Sequence, residues 1–158
     1  MNDTHLRKAR PSDTRAILNL ISTFSSQGLL LPRPYAQVME KIRDFTVVEN
    51  GEGTPLAGVV GLHPVGEDLA EIRSLAVRED WQKKGLGRQL VEYCLADAKE
   101  LRFQRVFALT YKLEFFEKLG FKKVEKLTLP QKIWGDCVHC AKFTDCDEVA
   151  MLLTLDKP

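Results

Sequence analysis

The sequence predicts a mixed α/β fold, a mostly antiparallel sheet with helices on both faces, and three observations carry that reading. Strand-like runs come first and are followed by a strand, helix, strand, helix, strand succession. The longest amphipathic helix is entered from a strand through a glycine-rich turn, Gln82-Lys83-Lys84-Gly85-Leu86-Gly87-Arg88. At 158 residues with 44% hydrophobic content, the chain has material for one core and too little for two ordinary domains.

Taken in order, residues 6–9 form a first strand, and Pro11-Ser12-Asp13 supplies a break, an N-cap and an acidic first turn. The helix that follows buries Ile17, Leu18, Ile21 and Phe24, and a leucine-rich loop, residues 27–34, leads to a second helix starting near Pro34 or Tyr35 with Val38 and Ile42 inward. Residues 45–49, a turn at 50–53 and residues 56–63 make an antiparallel hairpin. The strand over 68–77 then meets the glycine-rich turn. Beyond it Leu86, Leu90, Val91, Cys94, Leu95, Ala98 and Leu101 recur at the spacings of one buried helical face. Residues 105–110 form a short buried strand, 114–119 a short helix and 122–126 another strand. Gly120 suits a left-handed helix stop with Phe121 folded back on the helix. Residues 149–155 close the sheet, and 128–147 remain an irregular, cysteine-containing segment of a single domain spanning 1–158.

Composition removes whole classes of function. Lys and Arg total 23 against 22 Asp and Glu, so a net charge of +1 argues against a nucleic-acid footprint or a membrane-surface protein. The N-terminal residues lack the apolar stretch of a signal peptide, and no run approaches a membrane span, so a cytosolic protein is expected. In that compartment the four cysteines are expected as thiols or metal ligands rather than disulfides.

The turn has a chemical reading of its own. A strand-to-helix turn with glycines aims free N–H groups and the positive end of the helix dipole at one point, which favours phosphate. Gly85 permits a conformation that a Cβ resists, Gly87 permits close approach of a ligand, and Lys83, Lys84 and Arg88 add charge. The spacing excludes the P-loop, and the dinucleotide fingerprint would need a glycine where Leu90 stands.

Leu75-Ala76-Val77, a short connection and then Gln82 through Gly87 resemble the acyl-CoA signature of the GNAT N-acetyltransferase superfamily. The segment 114–121, Glu-Phe-Phe-Glu-Lys-Leu-Gly-Phe, resembles the short helix and Gly-Phe turn that close the cofactor cleft in that superfamily. The resemblance implies a GNAT-type sheet, acetyl-CoA as co-substrate, and Leu75, Ala76, Val77, Gln82–Arg88 and Phe116 as its binding residues. Segments 27–33, 42–49, 71–77 and 107–110 further resemble the acetyltransferase part of bacterial N-acetylglutamate synthases, here as a short stand-alone form.

That resemblance implies transfer of an acetyl group to the α-amine of L-glutamate, the first step of arginine biosynthesis. It makes Glu71 the base, directly or through a water, although a strand carboxylate paired with Arg73 is the plain structural alternative. A local bulge near Leu75 or Ala76 would present a backbone N–H to the thioester oxygen. Many superfamily members have a tyrosine as acid where this chain has Phe116, so the role passes to Thr110, to Tyr111 or to solvent. Arg33 and Arg73, with Lys112 as a third cation, are the candidates for holding the substrate carboxylates. The partner is then a small molecule, with neither nucleic acid nor membrane, and a homodimer is left open.

Two further readings stay beside this one: acetylation of another small amine or a protein N-terminus, and an acyl-CoA-binding module without catalysis. Cys137, His139, Cys140 and Cys146 have the ligands of a tetrahedral zinc site, but the third cysteine stands alone. Reduced thiols with no metal are the favoured reading. Cys94 belongs to the apolar stripe of its helix. His5 and His63 have no partner that the sequence names.

Overall fold

The computed structural model describes residues 4–30, 32–51, 56–126, 129 and 148–155. Its elements are β1 (His5–Lys8), α1 (Thr14–Ser25), α2 (Tyr35–Glu40), β2 (Phe45–Glu49), β3 (Gly58–Pro64), β4 (Leu69–Val77), α3 (Leu86–Glu100), β5 (Arg105–Thr110), α4 (Leu113–Glu117), β6 (Lys122–Val124) and β7 (Val149–Thr154). The strands form one open sheet in the order β1-β2-β3-β4-β5-β7-β6. β4 and β5 are parallel, with Leu69–Glu71 against Arg105–Phe107, while β1/β2, β2/β3, β5/β7 and β6/β7 are antiparallel. The fold class is the one expected, a mixed and mostly antiparallel α/β sheet. β1 starts one residue earlier than read, and β6 ends at Val124 rather than at 126.

The chain divides into two compact units, Met1–Leu62 with Arg73–Cys94, and His63–Ile72 with Leu95–Pro158. In the first, Val47 pairs with Val59, and both join Ile17, Leu20 and Ile21 of α1 and Val38 of α2 in one buried cluster. The opposite face belongs to α3. There Gly58 pairs with Val48, and a Cβ on Gly58 would lie 3.0 Å from Leu90 Cδ1 and 3.2 Å from the Ala76 carbonyl oxygen. Gly58 is thus what lets α3 press against the strands, and this unit has helices on both faces of its strands.

α1 starts at Thr14, so Asp13, read as its acidic first turn, precedes it, and no side chain caps the helix. The Asp13 carboxylate instead takes two bonds from Arg7, at 2.7 and 2.9 Å, and the Arg10 N–H at 2.6 Å, while Arg7 also binds Glu49. The Arg7 guanidinium holds the Asp13 carboxyl below its ordinary value, against the opposing effect of burial.

In the second unit, Leu69, Phe107, Leu129 and Ala150 form the core, and β5 pairs with β7 from Arg105 to Thr110. Here α4 ends as the sequence suggests. Gly120 has φ +96°, its N–H donates to the Glu117 oxygen and Phe121 N–H to the Phe116 oxygen, and the two rings meet edge to face at 5.1 Å. α3 stops with the same pair of bonds, Arg102 N–H to Lys99 O and Phe103 N–H to Ala98 O, although Arg102 holds the left-handed position at φ 71°. That stop explains one departure from expectation. Leu101, read as part of the apolar stripe, lies past the last helical residue and is 58% exposed.

Cys94 is buried, as read. Cys137, His139, Cys140 and Cys146 lie outside the described residues; among the described ones, no three His, Cys, Asp or Glu side chains are grouped to hold a metal. No described helix is long and apolar enough to cross a membrane.

Candidate active site

The first unit contains residues 75–88 of the predicted cofactor site, with Phe116 in the second, and the geometry of that segment begins with a break in β4. Ser74 has φ 57°, a left-handed conformation in mid-strand that costs a non-glycine residue free energy. This left-handed residue stands immediately before Leu75 and Ala76, where the bulge was expected. Such a break leaves an extra backbone unit out of the ladder. From there Leu75 and Val77 are half-buried and Ala76 is buried.

The turn after β4 is tied down by its own side chains. The Gln82 side-chain amide donates to the Val77 carbonyl at 2.8 Å, closing residues 77–82 on themselves. Arg78 donates its backbone N–H to Ala57 O at 2.8 Å and grips Asp80 with two bonds of 2.7 and 2.6 Å. That ion pair raises Arg78 and lowers Asp80 from their ordinary values. Lys83 and Gly85 both have positive φ, 64° and 82°, and the space where a Gly85 Cβ would stand is open to 4 Å.

α3 then starts with Leu86 buried as its root. The first turn-closing bond is Gln89 N–H to Gly85 O, 3.1 Å, so the N–H groups of Leu86, Gly87 and Arg88 precede the helical ladder. Lys84 rests its ammonium 4.6 Å from the Trp81 ring centroid, and Arg88 bonds Glu92 at 3.2 Å. Lys83 is exposed and has no charged partner among the described residues. Free N–H groups, an open cradle at Gly85 and mobile cations suit the phosphates of an acyl-CoA.

Of the candidates for chemistry, Glu71, Thr110, Tyr111 and Lys112 lie in the second unit and Arg33 and Arg73 in the first. Glu71, 3% exposed, pairs across the parallel ladder with Phe107. Arg73 follows two residues later on the same side of β4 and is also buried, and both residues have partners. Thr110 ends β5, and its Oγ1 accepts the Lys112 N–H at 2.8 Å. That bond orients the hydroxyl and leaves its own proton to donate. Tyr111 is 39% exposed and Lys112 is exposed, while the Thr110 hydroxyl is held by a backbone N–H. Phe116 is buried between Phe115 and Phe121, each 5.1 Å away between ring centroids, and so contributes packing. Arg33 is half-buried ahead of α2 and has a partner.

Sequence reasoning missed three contributors. Gly58 carried a signal, since a lone glycine inside a strand marks close approach. Trp81 carried a fainter one, an aromatic residue three places before Lys84. Ser74 carried none. A shallow hollow of about 450 Å³ in the first unit, lined by Leu20, Thr23, Phe24, Arg78, Glu79 and Asp80, includes none of the predicted site residues.

Comparison with known proteins places these features in context. The model of the acetyltransferase (GNAT) family matches residues 16–121. An uncharacterized N-acetyltransferase of Chlorobaculum tepidum is 41% identical over 153 residues, 97% of each chain. An amino-acid acetyltransferase of Mycobacterium tuberculosis is 33% identical over 150 residues, 91% of this chain and 86% of that one. Among solved structures, N-acetylglutamate synthase of Neisseria gonorrhoeae, complexed with coenzyme A and N-acetyl-glutamate, superposes with a TM-score of 0.87 at 25% identity. It covers 99% of this chain, which spans 36% of that longer one.

Proposed function

This chain belongs to the acetyltransferase (GNAT) family and uses acetyl-CoA to acetylate an amine, and from that premise we propose that the amine is the α-amino group of L-glutamate. The observation that carries the proposal is one strand bearing both a buried carboxylate, Glu71, and a buried guanidinium, Arg73. The names of the Mycobacterium and Neisseria relatives support it.

Glutamate arrives as an ammonium ion and must lose a proton before its nitrogen attacks the thioester carbon. Glu71 takes that proton, directly or through a water. The N–C bond forms first, the oxygen charge that then develops is met by backbone N–H groups at Leu75 and Ala76, past Ser74, and the C–S bond breaks as the second proton of the nitrogen passes to the departing sulfur. The departing thiolate receives a hydrogen bond from Thr110, whose proton the Lys112 N–H leaves available. Lys83, Lys84, Arg88 and the N–H groups of 86–88 hold the phosphates of the co-substrate, and Gln82 keeps the turn closed on Val77. Arg33, Arg73 and Lys112 take the substrate carboxylates. The reaction would open arginine biosynthesis in the cytosol.

The test is release of free CoA thiol from acetyl-CoA with L-glutamate, set against other amino acids, polyamines and peptide N-termini. Glutamate should be turned over best, and Arg33→Ala and Arg73→Ala should each raise its KM while leaving the acetyl-CoA KM within about twofold. Faster turnover of another amine would overturn the substrate and leave the family untouched.

A further inference from the structure

We infer that His63 is a positioning residue that orients the Glu71 carboxylate, an inference that rests on Glu71 being the base. His63 lies on β3 and is 3% exposed, as buried as Glu71 itself. Residues 65–68 are the whole connection between β3 and β4, and so short a link joins antiparallel strands. Val65 N–H donates to the Leu69 carbonyl at 2.9 Å, and the two side chains share one apolar cluster, which fixes the register at the mouth of the hairpin. Two residues back along β3 and two forward along β4, His63 stands across from Glu71 with its side chain on the same face.

Directly opposed residues on antiparallel strands bring their Cβ atoms to about 5 Å, within hydrogen-bonding reach for an imidazole and a carboxylate. On the other flank of Glu71 the ladder partner is Phe107, which has no polar atom. Of the two cross-strand neighbours, His63 alone offers a donor. A buried carboxylate that accepts a ring N–H from the side is restrained in rotation, and its remaining lone pairs point along the strand face toward an incoming amine.

The full chain would be assayed with acetyl-CoA and whichever amine it turns over fastest, comparing His63→Leu, His63→Gln, His63→Asn and Glu71→Gln. His63→Leu should lower kcat by about 10- to 100-fold through lost orientation, with the acetyl-CoA KM within about twofold. His63→Gln, which keeps an N–H donor, should restore most of kcat, a rescue that a merely structural histidine would not produce. If His63→Leu fails to fold, His63→Asn carries the comparison with Gln. Native kcat in His63→Leu overturns the inference, and so do Gln and Asn variants that fold and are as slow as Leu. Full activity in Glu71→Gln instead removes the base assignment, and that outcome is read independently of His63.

Discussion

The two halves of β4 are built differently. Leu69–Glu71 is regular ladder, paired residue for residue with Arg105–Phe107, and what it contributes is side chains, above all the Glu71 carboxylate. Past Ser74, left-handed at φ 57°, Leu75–Val77 and the turn that follows contribute mostly backbone: peptide groups beyond the pairing with β5, a carbonyl held by Gln82 and the N–H groups that open α3. One strand therefore serves two kinds of recognition. A carboxylate can be replaced by one atom without moving anything, whereas a peptide group is set by conformation and is altered only by changing what conformations the chain can hold.

The widest separation between the halves should come from Glu71→Gln set beside two changes at Ser74. The first should cost about 10²- to 10⁴-fold in kcat while the acetyl-CoA KM and the melting temperature stay near native, because one proton acceptor is lost and no shape is changed. Ser74→Gly should leave kcat and both KM values near native, since glycine takes the left-handed conformation freely. Ser74→Val should destabilise by about 1–3 kcal/mol and lower kcat, since a branched Cβ opposes that φ. A damaging Ser74→Gly would mean that the hydroxyl, and not the backbone, is what the position supplies.

A second cut tests whether the cofactor half depends on packing behind it. Gly58→Val would set a side chain where Leu90 and the Ala76 carbonyl already stand, 3.0 and 3.2 Å from the added Cβ. Thermal or urea unfolding should show a loss of about 1–3 kcal/mol, and acetyl-CoA binding should weaken because α3 is displaced with its N-terminus. Gly85→Ala is the milder counterpart. Open space surrounds that position, so its cost is conformational alone, about 1 kcal/mol at φ 82°, read as a several-fold rise in the acetyl-CoA KM with kcat unchanged. Trp81→Leu should raise that KM by a smaller factor, about twofold, through release of Lys84 from the ring 4.6 Å away.

The same division explains how much was legible beforehand. Strand and helix order, the cofactor turn and the Gly120 stop were read because glycine and apolar spacing announce them. Glu71 and Thr110 were read from a resemblance, and what the sequence withheld was their surroundings: the Lys112 N–H on Thr110, and His63 brought across from Glu71 by a hairpin register. Pro11-Ser12-Asp13 was read as break, N-cap and acidic first turn, but α1 starts only at Thr14 with no side-chain cap, and the Asp13 carboxylate is taken by a guanidinium from β1, a contact six residues away in sequence that local pattern does not weigh. Left-handed backbone at Ser74, Lys83 and Arg102 was invisible because no glycine marks it.

Arg102 gives the smallest effect and the sharpest control, since it shares a backbone conformation with the site and none of its chemistry. Three helices end with the same two bonds: α1 at Gly28, α4 at Gly120 and α3 at Arg102, with φ of 74°, 96° and 71°. Two of the three use the residue that suits the position, and Arg102 does not. Arg102→Gly should therefore raise stability by about 0.5–1 kcal/mol, since relief of the Cβ clash outweighs the greater freedom glycine has in the unfolded chain. It should leave kcat and both KM values unchanged. If left-handed residues in this chain are held only because the fold overrides them, Arg102→Gly and Ser74→Gly should both stabilise, by similar amounts. If Ser74 is kept for what its hydroxyl does, Arg102→Gly alone will gain, and the likeness between the two positions ends at their dihedral angles.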